Sequence, residues 1–180
     1  MLMSKDFVER YSLRSENGED YFWATFMLSE NGMLSIQSDY GDYSHFWFAF
    51  GSDFKAFLVK CGDDYLMSKF CDGRRELDYH ATMIDIKRDL IKQRKLKEIH
   101  SVDARHLYDR LCSFHKNEYI TDSDLLLKKL IDMEIVFFLY GDEPYYVPVT
   151  FDYTAQLKNF MKFCWKPFKQ VLKNEINLRN

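Results

Sequence analysis

The sequence is poor in chemical signposts. Its four cysteines, Cys61, Cys71, Cys112 and Cys164, include no CxxC pair. They form no Cys/His cluster at zinc-ligand spacing, so neither a structural metal nor a disulfide framework is expected. No stretch approaches the roughly 20 apolar residues of a membrane span. The opening MLMSKDFVERYSLRSENGED has no long apolar run, so no secretory leader is expected. Together these absences predict a reducing, cytosolic setting with free thiols. Walker A, Rossmann glycine, GxSxG and HExxH patterns are also missing, so no cofactor is expected and no catalytic residue is nominated. His80, His100, His106 and His115 fall on expected helices or at their ends and read as surface or capping residues. No repeat, low-complexity segment or linker divides the chain, which predicts one domain over 1–180. A formal net charge of −3 and a pI near 6.0 argue against both a general polyanion binder and a DNA mimic. The charge is uneven, however: residues 1–80 carry 14 acidic and 8 basic side chains, and residues 81–180 carry 14 and 17.

Apolar residues are plentiful, at 47% hydrophobic and 17% aromatic. Aromatics bring large buried area and dominate interface hot spots, so the excess fits a packed core or a docking surface. Asn31-Gly32 lies between two alternating runs and suits a type I′ turn. A two-residue loop there pairs Ser29 with Leu34, Met27 with Ile36 and Trp23 with Tyr40. It would turn Trp23, Met27, Leu34 and Ile36 toward covering helices. Strands are expected at Phe7 to Leu13, ending at the polar SENGED, and at Ser44 to Phe50. This predicts an α+β fold, with an N-terminal antiparallel meander over 1–50 packed against a mostly helical part over 51–180.

Helical patterns follow from Asp53 to Cys61, capped by Ser52 and stopped by Gly62, from Asp63 or Asp64 through Phe70, and from about Leu77 to Ile99 with Leu77, Ala81, Ile84 and Ile91 on one face. Further helices are expected from Val102 to His115, capped by Ser101, and from Leu125 to Tyr140 behind a Thr121–Asp124 capping box. Within the latter, IVFFLY reads equally as buried helix or strand. Tyr145 to Val149 reads as extended, and a last helix opens at Asp152, with Pro167 kinking or restarting it.

Two basic features and one acidic one are candidates for function. KRDLIKQRKLK over 87–97 holds six cations and one acid. Lys158, Lys162, Lys166, Lys169 and Lys173 form one stripe on a continuous helix, suited to phosphates or simply to a solvated face. Asp39 and Asp42 bracket the Tyr40-Gly41 turn, with Tyr43 and His45 adjacent. Carboxylates beside an imidazole suit a metal or acid–base work, and equally suit ordinary turn chemistry.

The runs LSIQSDYGDYSHFW (34–47) and FKAFLVKCGDDYLMSKF (54–70) resemble motifs of a small-protein family of tailed phages and prophages. The likeness continues through ATMIDIKRDLIKQRKLKEIHSVDARHLYDRL (81–111) and FCWKPFKQVL (163–172). The resemblance implies a non-structural accessory protein and carries no catalytic residues with it. Small proteins in that position often inhibit host defence by stoichiometric binding, anti-CRISPRs among them. The expected partner is therefore a host defence protein or ribonucleoprotein complex in the host cytoplasm. Asp39, Tyr40, Asp42, Tyr43 and the five lysines of 158–173 are the expected contacts, with no membrane partner. The alternatives are a nucleic-acid-associated factor using the lysine-rich helices, and a small enzyme using Asp39, Asp42 and His45.

Overall fold

A computed structural model describes residues 7–15, 21–141 and 144–179. In chain order it opens with strands β1 (Val8–Arg14), β2 (Trp23–Ser29), β3 (Met33–Ser38) and β4 (Tyr43–Phe46). Helices α1 (Phe54–Lys60) and α2 (Asp63–Phe70) follow, then β5 (Glu76–Leu77), α3 (Tyr79–Leu96) and α4 (Ser101–Asn117). The chain continues with α5 (Ser123–Asp132), α6 (Ile135–Tyr140), β6 (Phe151–Asp152), α7 (Ala155–Phe160) and α8 (Lys166–Arg179). The α+β expectation holds: a four-stranded antiparallel meander, ordered β1-β2-β3-β4, precedes a mostly helical remainder. The polar 16–20 segment expected to end the first strand lies outside the described residues.

Two compact units arise, Met1–Arg74 with Tyr153–Asn180, and Arg75–Asp152. In the first, α1, α2, α7 and α8 cover one face of the meander. Phe26, Leu34, Ile36, Leu58, Leu66, Phe160, Trp165 and Leu172 are fully buried there. The second is a helical unit around Met83, Ile86, Leu90, Leu111, Leu126 and Ile135, with β5 pairing β6 at its ends.

The hairpin is present, but its register differs by one residue from the expected one. Phe26 pairs with Ile36 and Leu28 with Leu34. Only Gly32 takes a positive φ, at 99°, and its N–H donates to the Ser29 carbonyl at 3.1 Å. That is a three-residue loop with the glycine in the left-handed position rather than a type I′ turn. Because strand side chains alternate, the slip turns Ala24, Phe26 and Leu28 inward and sends Trp23 out, 43% exposed, with Met27 half-buried. The pairing wins because it sets Phe26 and Leu28 against Ile36 and Leu34 on the covered face, each worth about 1.5–3 kcal/mol when fully buried.

Other expectations shift at element ends. The strand expected over Ser44 to Phe50 is β4 and stops at Phe46. Asp53, not Ser52, caps α1, accepting from the Ala56 N–H at 3.0 Å. Ser101 opens α4 rather than capping it. The buried face of α3 is Tyr79, Thr82, Met83, Ile86 and Leu90, leaving Ile84 and Ile91 exposed, while Leu77 sits in β5. Asp78 sets that start by accepting from the Ala81 N–H at 2.9 Å.

The expected helix to Tyr140 breaks at Glu134, whose φ of 60° no helix continues. IVFFLY beyond it is the helix α6. Pro144–Tyr146 is a 3₁₀ turn rather than extended chain. Thr154, not Asp152, caps α7 by accepting from the Leu157 N–H at 3.1 Å. A π turn, Met161–Trp165, joins α7 to α8, and Pro167 falls in the first turn of α8, where a missing N–H costs little.

Candidate binding surface

The tight turn at Tyr40-Gly41 is held by its own backbone and by Ser38. Ser38 Oγ donates to the Gly41 carbonyl at 2.7 Å, and the Gly41 N–H donates to the Ser38 carbonyl at 3.1 Å. Burial pushes the Tyr43 hydroxyl up to about 12, so it stays a neutral donor, to the Tyr40 carbonyl at 2.5 Å. Its ring lies 4.7 Å from Phe160, while Tyr40 stacks on Phe163 at 5.9 Å. Asp42 is exposed. His45 packs edge-on to Trp47 at 4.5 Å, and burial, then Lys69, lowers its pKa. Asp39 instead closes the open end of the hairpin: its carboxylate accepts from the Trp23 N–H at 2.9 Å, and its own N–H donates back to the Trp23 carbonyl at 3.3 Å. Asp39, Tyr40, Tyr43 and His45 therefore have local structural contacts, Asp42 faces solvent, and the imidazole is directed into aromatic packing.

The lysine series is divided by the same packing. Lys158, Lys162, Lys166 and Lys173 are exposed along α7 and α8. Lys169 turns inward, donating to the Cys61 carbonyl at the end of α1 at 2.7 Å and standing 4.0 Å from Asp63. It completes the orphan carbonyls of a helix terminus. Lys162 lies over the Phe163 ring at 4.6 Å.

A lysine outside both sequence features is the most buried cation. Lys55, 6% exposed, donates to Glu9 at 2.5 Å, Glu175 at 2.7 Å and the Tyr11 hydroxyl at 2.7 Å. Burial opposes its charge, but the three bonded oxygens outweigh this and its pKa rises, so it is an ammonium, not a nucleophile. It ties β1, α1 and α8 together. Only the buried apolar face around it signals this in sequence, because Lys55 adjoins Phe54 in an amphipathic pattern.

What remains open is the outer face of the meander. The corrected register places Arg14 opposite Trp23, Ser12 opposite Thr25 and Arg10 opposite Met27. Met33 lies opposite Phe46 on the same face. With Tyr21 and Asp39, the Arg10, Arg14 and Trp23 side chains border a groove of about 620 Å³. Phe46 and the 91%-exposed Phe48 meet edge to face at 4.7 Å beyond β4. Guanidinium groups beside exposed aromatics are the composition of interface hot spots. Among the nominated residues only Asp39 borders this groove, where it grips the Trp23 backbone. Arg10, Arg14 and Trp23 carry the period-two signal, but reading their face requires the right register.

Among the described residues no helix is long and apolar enough to cross a membrane. No curated protein and no solved structure matches the chain. The model of a phage family, by contrast, matches residues 3–174, nearly its whole length. The chain belongs to that phage family.

Proposed function

We propose that the protein is a non-enzymatic accessory factor that inhibits a host defence system by stoichiometric binding to an effector complex, in the manner of an anti-CRISPR. Its partner is a host protein or ribonucleoprotein in the host cytoplasm. The observation that carries this reading is the outer sheet face. Trp23 and two arginines stand on a rigid antiparallel scaffold, with Trp23 held at its backbone by Asp39. An aromatic on a paired strand brings large apolar area with only two side-chain torsions to order, and arginine offers a planar fork to carboxylate or phosphate. Membership of a phage family supplies the setting.

The test is dose dependence in an effector-cleavage or phage-protection assay. Inhibition should titrate near one protein per effector. Trp23→Ala should weaken it by about 2 kcal/mol or more, as for a central hot spot. Arg10→Glu with Arg14→Glu should abolish it, whereas Asp42→Asn and His45→Gln should leave it intact. Complete inhibition far below equimolar protein would mean turnover and would sink the reading.

A second reading, a nucleic-acid-associated factor, is favoured by the four exposed lysines of α7 and α8. Four phosphate contacts predict a log-affinity against log-salt slope of about −3 on single strands, lost in Lys162→Glu with Lys166→Glu.

A further inference from the structure

The helix α3 has two apolar stripes, and only one is used. Tyr79, Met83, Ile86 and Leu90 enter the core of the second unit. Ile84 and Ile91, one heptad apart on the other side, remain exposed. Against this second stripe, α3 and α4 frame a groove of about 850 Å³. Its floor is Leu90, Ile91, Val102, Ala104 and Tyr108. Ile91 is 43% and Val102 68% exposed, so the floor is open to a partner without rearrangement.

The rim decides what fits. Arg94 and Lys95 rise from α3 and Arg105 from α4. Among the described residues one acid borders the groove, Asp109, which lies 3.3 Å from Arg105 in an i,i+4 pair on α4. Arg94 and Lys95 stand in the last turn of α3, where the helix dipole suits them but no carboxylate is paired with them among the described residues. A channel between two helices, apolar below, with Arg94 and Lys95 on the α3 wall and the Arg105–Asp109 pair on the α4 wall, is shaped for a third helix that brings carboxylates to the α3 side. We infer that this groove docks an acidic amphipathic helix of a partner protein, its apolar stripe on Ile91 and Val102 and its flanking carboxylates on Arg94 and Lys95. A second copy of this chain is a poorer occupant, because a two-fold contact here sets these cations against themselves. The site is separate from the outer sheet face, and it stands or falls independently of the defence-inhibitor reading.

The experiment uses the full chain and a fluorescein-labelled synthetic helix of about 18 residues, long enough for five turns. The peptide carries Leu at i, i+3, i+4 and i+7 and Glu at the flanking positions; a control keeps the leucines and replaces every Glu by Lys. Fluorescence anisotropy should show saturable binding of the Glu peptide, with the Lys peptide weaker by about tenfold or more. Amide and methyl NMR shifts should concentrate at 90–109. Ile91→Asp with Val102→Asp should remove binding while helical ellipticity is kept, since both side chains are exposed. Arg94→Glu with Lys95→Glu should invert the peptide preference. Arg10→Glu with Arg14→Glu should leave it unchanged. The proposal is overturned if the Glu peptide fails to bind, if both peptides bind alike, or if the Ile91/Val102 variant binds normally. It is also overturned if sedimentation shows a dimer of the free chain that Ile91→Asp dissolves, which would make this face a self-interface.

Discussion

The two units hold themselves together by different means. The core of the first is aromatic: Phe26 stacks on Phe168 at 3.9 Å and 8°, and Trp165 meets Phe70 and Phe168 edge-on at 6.1 and 5.6 Å. Its parts come from both ends of the chain, since β1–β4, α1 and α2 close against α7 and α8. The second unit is one contiguous stretch whose core is mainly aliphatic, Leu, Ile, Val and Met, with Tyr79 as its one fully buried aromatic among the described residues. Local helix pairs form with little loop-closure cost, whereas joining segments about 100 residues apart costs more entropy and needs a stronger set of contacts. Large aromatic rings supply that strength per residue.

The largest expected effect tests this contrast directly. Phe26→Ala should cost the first unit about 3–5 kcal/mol, and Leu111→Ala should cost the second about 2–5 kcal/mol. All three tryptophans, Trp23, Trp47 and Trp165, lie in the first unit, so their emission follows it alone. In urea titrations, Phe26→Ala should lower the emission midpoint more than the ellipticity midpoint, with the reverse for Leu111→Ala. If both probes move together in both variants, the units melt as one and the contrast has no energetic meaning.

Gly32→Val comes next. The added Cβ would overlap the Trp47 carbonyl oxygen and lie 2.7 Å from the Phe50 ring, at a φ of 99° that β-branched residues avoid. A loss of about 2–3 kcal/mol is expected, read from the tryptophan midpoint. An unchanged midpoint would contradict the steric and positive-φ argument for glycine at this position.

Lys55→Met should cost less, about 1–2 kcal/mol, because Glu9 and Glu175 keep access to water once the ammonium is gone. Its signature is in the pH profile. The hydrogen bond from Lys55 is the main cause holding Glu9 below its ordinary 4.5. The stabilisation is therefore full above that value and lost as pH falls through the lower folded value. The variant should show a flatter acid limb in urea midpoints between pH 5 and 3, and an unaltered slope would contradict the assignment.

The smallest effect belongs to the second unit. His115 Nε2 is 2.7 Å from His80 Nδ1, and its Nδ1 is 2.9 Å from the Lys87 ammonium, with the Tyr79 ring centroid 5.4 Å away. Burial first, then Lys87 and His80, lowers its pKa below the ordinary 6.5. Protonation then favours the unfolded chain, so this stabilisation is complete above 6.5 and declines as pH falls below it. Ellipticity midpoints should drop by a fraction of a kcal/mol between pH 7 and 5, and His115→Gln should remove that drop. The same drop in the variant would locate the titrating group elsewhere.

How much of this was legible beforehand depends on the range of the deciding interaction. Helix α2, with two acids in its first turn after Gly62, and α4, with Ala104, Leu107 and Leu111 inward, follow from local composition and a 3.6-residue period. The hairpin is local too, since two alternating runs and a glycine needing positive φ lie within 16 residues of one another. Its register is not. Type I′ and three-residue loops both suit Asn31-Gly32, and the choice fell to which face of β2 could reach Phe160, Trp165 and Phe168, more than 130 positions later. The face of α3 was likewise ambiguous, because two apolar stripes share one helix and only packing against α4 and α6 selects one.

The candidate site was the less legible part for the same reason. Asp39, Asp42, Tyr43 and His45 drew attention by adjacency, yet Asp39 and Asp42 fall between β3 and β4, the first bonded to Trp23 and the second exposed, while Tyr43 and His45 pack on different aromatic rings. Arg10, Arg14 and Trp23 become one surface only once β1 and β2 are paired. By itself the sequence determined the α+β class, the turn at Gly32, where most of the helices lie and the phage-family membership, all of which rest on local pattern. Tertiary structure alone decided which side of each element is buried, that Lys169 and Lys55 are clamps rather than free cations, and where an open face remains. Those outcomes depend on contacts between distant segments, whose energies no local pattern encodes.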